Sequence, residues 1–432
     1  MKFLQFLLTF LLIQTGFAQN LQWVIPPLYE RADKFHNGFA SVGQGGKCGI
    51  ITKEGRFLVK PTYEDIYFYD NAWMTILNYK NGLITPECHF KFEPIYDYTV
   101  SYNRGIARVR VGELYGFVDT TKKMISLPQF KYALPFIFLN TIVCEGNRWW
   151  VMDQNAKNIF NKYFDDIDIL NPDSKYFIYT IAKKKGVIDI EGRIVTETIF
   201  DDIGHFNEGH AWAKIGAKYG LIDSTGKWIL KPEYESVDDI SEGIVLVQKS
   251  GKFGYLKLNG DWMLKPDYKS AKKMVGGYAV VNDNTIVNNE GKQIANTTMK
   301  IVTAFRENGT ALIESNGLLG VIDVTGKTII EPLYDDIALN ADLFVITINE
   351  KRGLMNKEGV MILKPECDFI WSCKEDLIAF VKNNKTGVVD KKGNILIPAI
   401  LDATKAEYEF SEGLCAACFQ GKCGYIKNPL KK

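Results

Sequence analysis

Cysteine is scarce, with eight residues in 432, which is too few for the disulfide framework by which small secreted domains replace a core. The four histidines, His36, His89, His205 and His210, are scattered, and none has a partner at metal-ligand spacing. Charge of one sign is missing too: 52 Lys and Arg face 51 Asp and Glu. Phosphate binding rests on clustered cations that release counterions, so this balance argues against a nucleic-acid partner. No Gly-x-Ser-x-Gly elbow and no His-Glu-x-x-His pair occurs. Proline is limited to 14 residues against 37 Gly, 26 Phe, 21 Tyr and 8 Trp, a mixture that favours strands and tight turns over helices.

The chain is 46% apolar and 24% charged, the composition of a folded protein. It is too long for one ordinary core and so predicts several domains or a repeat array. Its start reads as an export signal. Lys2 gives a positive end, Phe3 to Ile13 is an apolar run, and Gly16-Phe17-Ala18 carries small residues where a signal peptidase needs them. Cleavage after Ala18 leaves residues 19–432, with no cysteine at the new terminus to take a lipid. No later segment is apolar for the roughly 20 residues that a membrane span needs. The sequence therefore predicts a soluble protein of the periplasm or the cell exterior.

One frame repeats. It reads Gly220-Leu-Ile-Asp-Ser-Thr-Gly226-Lys-Trp228-Ile-Leu-Lys-Pro232-Glu-Tyr234, and recurs at Gly254, Gly260, Trp262, Pro266 and Tyr268. It returns at Gly320, Gly326, Pro332 and Tyr334, and at Gly49, Gly55, Pro61 and Tyr63. With weaker copies, about twelve units of about 34 residues fill the stretch from Gly49 to Gly424, and Pro27-Leu28-Tyr29 matches the end of the frame ahead of the first. Asp223-Ser-Thr-Gly226 predicts a type I turn with an acceptor side chain first and Gly last. Asn316-Gly317, Ser250-Gly251, Gly216-Ala217 and Gly45-Gly46 predict two-residue hairpin loops. Each unit is thus expected to be three antiparallel strands, the third ended by the proline, after which a segment such as Phe200 to Ile203 crosses to the next unit. The recurring Tyr63, Tyr234, Tyr268 and Tyr334, with Trp228 and Trp262, are expected to pack between units.

The frame resembles the WG repeat of bacterial proteins over roughly residues 23 to 427. The resemblance implies a β-rich repeat of exported or envelope-associated proteins, and it brings no catalytic residues with it. Three copies depart from the frame: Trp150 and Thr285 stand where the first Gly belongs in two of them, and Lys162, Thr198 and Thr297 stand where the Pro belongs, Thr198 in the copy that keeps its Gly186. Breaks in the array are expected near 133–180 and 275–300.

The remaining candidates are few. Gly220-x5-Gly226-Lys resembles a phosphate loop but has the wrong spacing. Asp165-Asp166, Asp201-Asp202 and Asp335-Asp336 suggest paired carboxylates or a calcium site, yet they recur at one frame position, as turn residues do. Trp149-Trp150 is the candidate ligand-stacking site, since adjacent indoles in a strand point to opposite faces; one is expected to plug the core. Cys48 and Cys423 hold the same frame position in the first and last units, and would be joined by a disulfide if the array closed.

For architecture the sequence predicts an all-β, open superhelical array, with a β-propeller or two propeller-like blocks as the alternative. For function it predicts a non-enzymatic exported protein, without cofactor or metal, whose long surface binds an envelope protein or a cell-surface glycan. The alternatives are a polysaccharide-acting enzyme at a degenerate junction and a passive spacer.

Overall fold

The computed structural model describes residues 21–431 except 70, 86, 89–90, 104, 120, 122, 137–138, 169–175, 341, 372–373 and 404–407. The predicted signal segment 1–18, His89 and Cys373 lie outside the described residues. Among the described residues every regular element is a strand, and no helix is long and apolar enough to cross a membrane. The chain divides into two units, one formed by residues 1–128 and 338–432, the other by residues 129–337. The second contains both copies that lack the first Gly.

Among the described residues the strands form twelve sheets, nine of four strands and three of three, so the three-stranded unit is corrected. The additional strand is the segment read as a crossing. Asp202–Ile203 pairs with His210–Ile215, placing Asp202 opposite Lys214 and Ile203 opposite Ala213. Ile203 is buried against Ile178, Val187 and Phe200 of the preceding sheet, so the apolar residue of the crossing holds the segment in the next sheet.

The role of the proline is also corrected. In the copy with strands Leu318–Asp323 and Thr328–Tyr334, Leu319 faces Tyr334 and Val321 faces Ile330, which leaves Glu331, Pro332 and Leu333 opposite Gly320 alone. The outer strand therefore bulges through Pro332 instead of ending there, and the missing proline N–H falls where the ladder is already interrupted. A Cβ on Gly320 would stand 2.5 Å from the Ile330 carbonyl oxygen and 2.8 Å from the Pro332 nitrogen. Gly and Pro thus recur together because each permits the same bulge.

The turns form as read. The Asp323 carboxylate accepts the N–H groups of Thr325 and Lys327 at 2.8 and 3.0 Å and the Thr325 hydroxyl at 2.7 Å, and Gly326 closes the turn at φ 85°. Both residues of the hairpin loops Gly45-Gly46, Ser250-Gly251 and Asn316-Gly317 have positive φ, the type I′ geometry whose twist matches that of the strands.

Core packing lies between consecutive sheets and draws on alternate residues of each strand. Ile222 turns to the cluster with Val187 and Phe200, while its neighbour Leu221 turns to Tyr234, Val237 and Val245. Because both faces are covered, the inner strands are apolar in runs and do not alternate. Tyr63, Tyr234 and Tyr334 are buried, while Tyr268, Trp228 and Trp262 are half-buried at the edges of these clusters.

The open array is overturned within the first unit. Trp23–Tyr29 pairs with Lys422–Lys427, with Trp23 opposite Ile426 and Tyr29 opposite Cys423. The fragment Pro27-Leu28-Tyr29 is therefore the outer strand of the last copy, supplied from the other end of the chain. Glu412 accepts the Gly38 N–H at 2.9 Å, and the Ser411 hydroxyl donates to the Phe35 carbonyl at 2.8 Å. Joining the ends through a shared sheet is the propeller's device for removing exposed edges, so the propeller-type alternative replaces the solenoid.

Candidate functional site

Most chemistry-bearing side chains of the frame are used to hold one sheet to the next. The acid that follows the frame aromatic, or Leu401 in its place, accepts a backbone N–H at the tip of the following hairpin. Asp201 takes Gly216 at 2.7 Å, Glu235 takes Gly251 at 2.8 Å, and Asp402 takes Gly421 at 2.8 Å. The same acid meets the Lys that follows the preceding hairpin, as in Lys184–Asp201 at 2.6 Å and Lys385–Asp402 at 2.8 Å. The Lys184 hydrogen bond and then the Gly216 N–H hold the Asp201 carboxyl below its ordinary range. At the opposite end of the strands a second ladder runs head to tail: Glu208 accepts the Glu242 and Gly243 N–H groups at 3.0 and 3.2 Å, and Glu242 accepts those of Gly276 and Gly277.

The paired aspartates belong to this scheme. Asp165 accepts the Ala182 N–H at 2.8 Å, Asp166 accepts the Ile167 N–H at 3.0 Å, and Asp202 pairs with Lys185 at 2.7 Å. Asp336 begins the strand Asp336–Asn340.

The copy containing Trp149 and Trp150 differs from its neighbours. Strands Asn140–Glu145 and Arg148–Asp153 form normally, but Trp150 fills the place of the frame Gly, and no outer strand pairs regularly beside it. Two isolated bridges remain, Trp149 with Phe164 and Met152 with Asn158, and the chain between them loops out where the bulge would otherwise sit. The indoles do point to opposite faces. Trp150 is buried, edge-on to Phe130 at 5.8 Å between ring centres, and is therefore a core plug and no part of a ligand platform. Trp149 is half-buried and stacks at 5.9 Å on Tyr132, itself 52% exposed.

The looped segment carries Tyr163, also 52% exposed, with the Arg148 guanidinium 5.8 Å from its ring centre. Beside it opens a cavity of about 250 Å³, walled by Tyr163, Phe164, Tyr179, Ile181, Ile194 and Glu197. Trp149 and Phe164 exchange backbone hydrogen bonds at 3.0 and 2.9 Å, which ties the stacked pair to this wall. Of these residues the sequence singled out Trp149 alone; Tyr132, Tyr163, Ile181 and Ile194 had no signal but nearness to a copy lacking its Gly and Pro.

The thiols contradict the Cys48–Cys423 link. Cys423 is bonded to Cys418, its direct partner across the last hairpin, with Cα atoms 4.0 Å apart. The residue opposite Cys48 is Gly43, so Cys48 has no thiol across the strand and remains a buried free cysteine. Burial raises the pKa of the Cys48 thiol. Among the described residues no group of three or more His, Cys, Asp or Glu is placed to hold a metal ion.

The family described as the WG-containing repeat matches residues 19–48, 89–115, 115–137, 186–219, 219–253, 253–284, 320–351, 353–385 and 387–423. Trp150 and Thr285 both fall between these matches. No curated protein matches the chain. A crystal structure of a eukaryotic initiation factor is 11% identical, covering 68% of this chain and 96% of its own, at a TM-score of 0.36. BamB from Moraxella catarrhalis is 13% identical, covering 61% and 94%, at 0.26. PorZ, a surface component of the type-IX secretion system of Porphyromonas gingivalis, is 8% identical, covering 92% and 74%, at 0.22. Scores this low carry no inference about fold or function.

Proposed function

The chain belongs to the WG-containing-repeat family, and from that premise we propose that it is a non-enzymatic exported protein that binds a cell-surface glycan. The observation that carries this reading is the surface ledge of Trp149 stacked on the exposed Tyr132, with the exposed Tyr163 walling the 250 Å³ cavity on the neighbouring looped segment. Exposed aromatic faces stack on the apolar faces of sugar rings, and the cavity wall adds Glu197 and Lys162 to meet hydroxyls. The carboxylates available to a hydrolase support binding over catalysis. Asp165 and Asp201 are engaged by backbone N–H groups, and Asp201 is held low, whereas a general acid needs its pKa raised.

The test is retention of the chain of residues 19–432 on cell-envelope material from its producer, before and after proteolysis of that material. Retention that survives proteolysis and falls in Trp149→Ala supports the reading. Retention lost on proteolysis would make the partner an envelope protein, and a polysaccharide-cleaving activity abolished by Asp165→Asn with Asp166→Asn would make the chain an enzyme.

A further inference from the structure

We propose that the copy of Thr285, the second without its first Gly, forms a binding site for an acidic saccharide. Its strands Tyr278–Val281 and Thr285–Asn288 have four residues each, against six in Ile244–Lys249 and Lys252–Lys257 of the preceding copy. The hairpin is cut short, and a recess of about 710 Å³ opens over its loop, lined in part by Lys252, Lys269, Asn282, Asn284, Thr285 and Asn296.

The frame shows what is unusual about the lysines. Among the described residues, in seven copies the Lys after the hairpin meets the acid that follows the frame aromatic or the Cys367 or Leu401 in its place: Lys47–Glu64, Lys80–Asp97, Lys184–Asp201, Lys218–Glu235, Lys351–Asp368, Lys385–Asp402 and Lys422–Glu30. Lys252 occupies the same position, but the residue after Tyr268 is Lys269. Two ammonium groups therefore line a junction that is neutralised in those copies, and among the described residues neither has a carboxylate within 4.0 Å. Lys252 is half-buried, so its charge is less relieved by solvent than that of a surface lysine.

The rest of the lining fits a polyhydroxylated anion. Asn282 accepts the Lys269 N–H at 2.9 Å through its side-chain oxygen, which leaves its amide N–H groups to donate. Asn284 accepts the Thr285 hydroxyl at 3.1 Å and is left in the same state. Asp283 is occupied by the Ser270 hydroxyl at 2.7 Å, while the exposed Asp267 at the rim is free to accept a sugar hydroxyl. A carboxylate or sulfate group of the ligand would take the Lys252–Lys269 pair, and its hydroxyls would take the amides and Asp267.

This inference rests on the glycan-binding reading but places the ligand on different residues. The experiment is calorimetric titration of the chain of residues 19–432 with trigalacturonate, with a sulfated trisaccharide and with neutral cellotriose. We expect one acidic sugar to bind, more weakly as salt rises and in dependence on Lys269, while any cellotriose taken by the aromatic ledge responds neither to salt nor to Lys269→Glu. Lys269→Glu restores the acid that the frame places there and so should fold; it should weaken binding at least about tenfold. Lys227→Gln, at an exposed lysine outside the recess, should leave this titration unchanged. Binding of neither acidic sugar, an acidic-sugar affinity that does not respond to salt, or an unaltered affinity in Lys269→Glu overturns the site. If the acidic sugars fail while envelope retention still falls in Trp149→Ala, the site is lost and the broader reading stands. A titration that succeeds where envelope retention is absent leaves the site and removes the envelope role.

Discussion

The Asp201 carboxylate lies 2.7 Å from the Gly216 backbone nitrogen and accepts its hydrogen, so one side chain at the end of a sheet fixes the hairpin of the next. Repeated in Glu235 and Asp402, this contact explains why an acid recurs beside the frame aromatic. It also ties sheet-to-sheet cohesion to acid titration. The carboxyls of Asp97, Asp201 and Asp368 are held below their ordinary range chiefly by hydrogen bonds from Lys80, Lys184 and Lys351, and that of Glu30 chiefly by the Gly46 N–H. A lowered folded pKa contributes stability that is present above the unfolded value and lost as pH falls through the folded one. The urea midpoint is therefore expected to hold from neutral pH to about pH 5 and to fall below about pH 4. Asp201→Asn keeps an acceptor for Gly216 but loses the charge, so its midpoint should be lower at neutral pH and should converge on that of the parent in acid. Parallel curves would refute the role of the charge.

The second prediction concerns the bulge. Gly320→Ala places a methyl group 2.5 Å from the Ile330 carbonyl oxygen, a contact with backbone that only displacement of the outer strand can relieve. The expected cost is about 2–3 kcal/mol, read from chemical denaturation of the whole chain, and a loss under about 0.5 kcal/mol, the level of an ordinary surface change, would contradict the bulge geometry.

Much of this was legible because the signals were local. The Asp323-to-Gly326 turn, the two-residue loops and the buried Tyr63, Tyr234 and Tyr334 follow from short-range chemistry and from periodicity. The bulge was not, because the clash that requires Gly320 involves Ile330 and Pro332 on the facing strand, ten to twelve positions on. The fourth strand was missed since two residues, Asp202 and Ile203, show no alternation. Joining of the two ends was held only as the alternative, for a different reason: Pro27-Leu28-Tyr29 was recognised as the end of a frame, but its partner strand lies almost 400 positions away, at Cys423 to Ile426. At the degenerate copies the departures were visible, while the cavity and the recess they open depend on how the neighbouring sheets stay in place around them.

Third, the disulfide should prove local. A non-reducing peptide map is expected to contain a Cys418–Cys423 link and an unlinked Cys48, since Cys418 and Cys423 face each other across one hairpin. The bridge closes a short loop, and reduction should cost about 2 kcal/mol by the chain-entropy relation while leaving the overall sheet signal in circular dichroism intact. A Cys48–Cys423 peptide in the map would overturn the assignment.

The last prediction separates the two adjacent indoles. Trp150 is 8% exposed, packs on Phe130, and buries an indole N–H that has no acceptor among the described residues. Trp150→Ala should therefore destabilise the chain by about 3–5 kcal/mol, the cost of emptying a large aromatic site. Trp150→Phe keeps the ring-edge contact and removes the orphaned donor, so its cost should stay below about 1.5 kcal/mol. Trp149 stacks on an exposed Tyr132 at the surface, and its replacement by Ala should change the denaturation midpoint far less than Trp150→Ala while lowering retention on protease-treated envelope material. The pair tests itself: a Trp149→Ala variant that unfolds like Trp150→Ala would make both residues core, whereas one that is stable yet fully retained would move the binding surface away from this ledge.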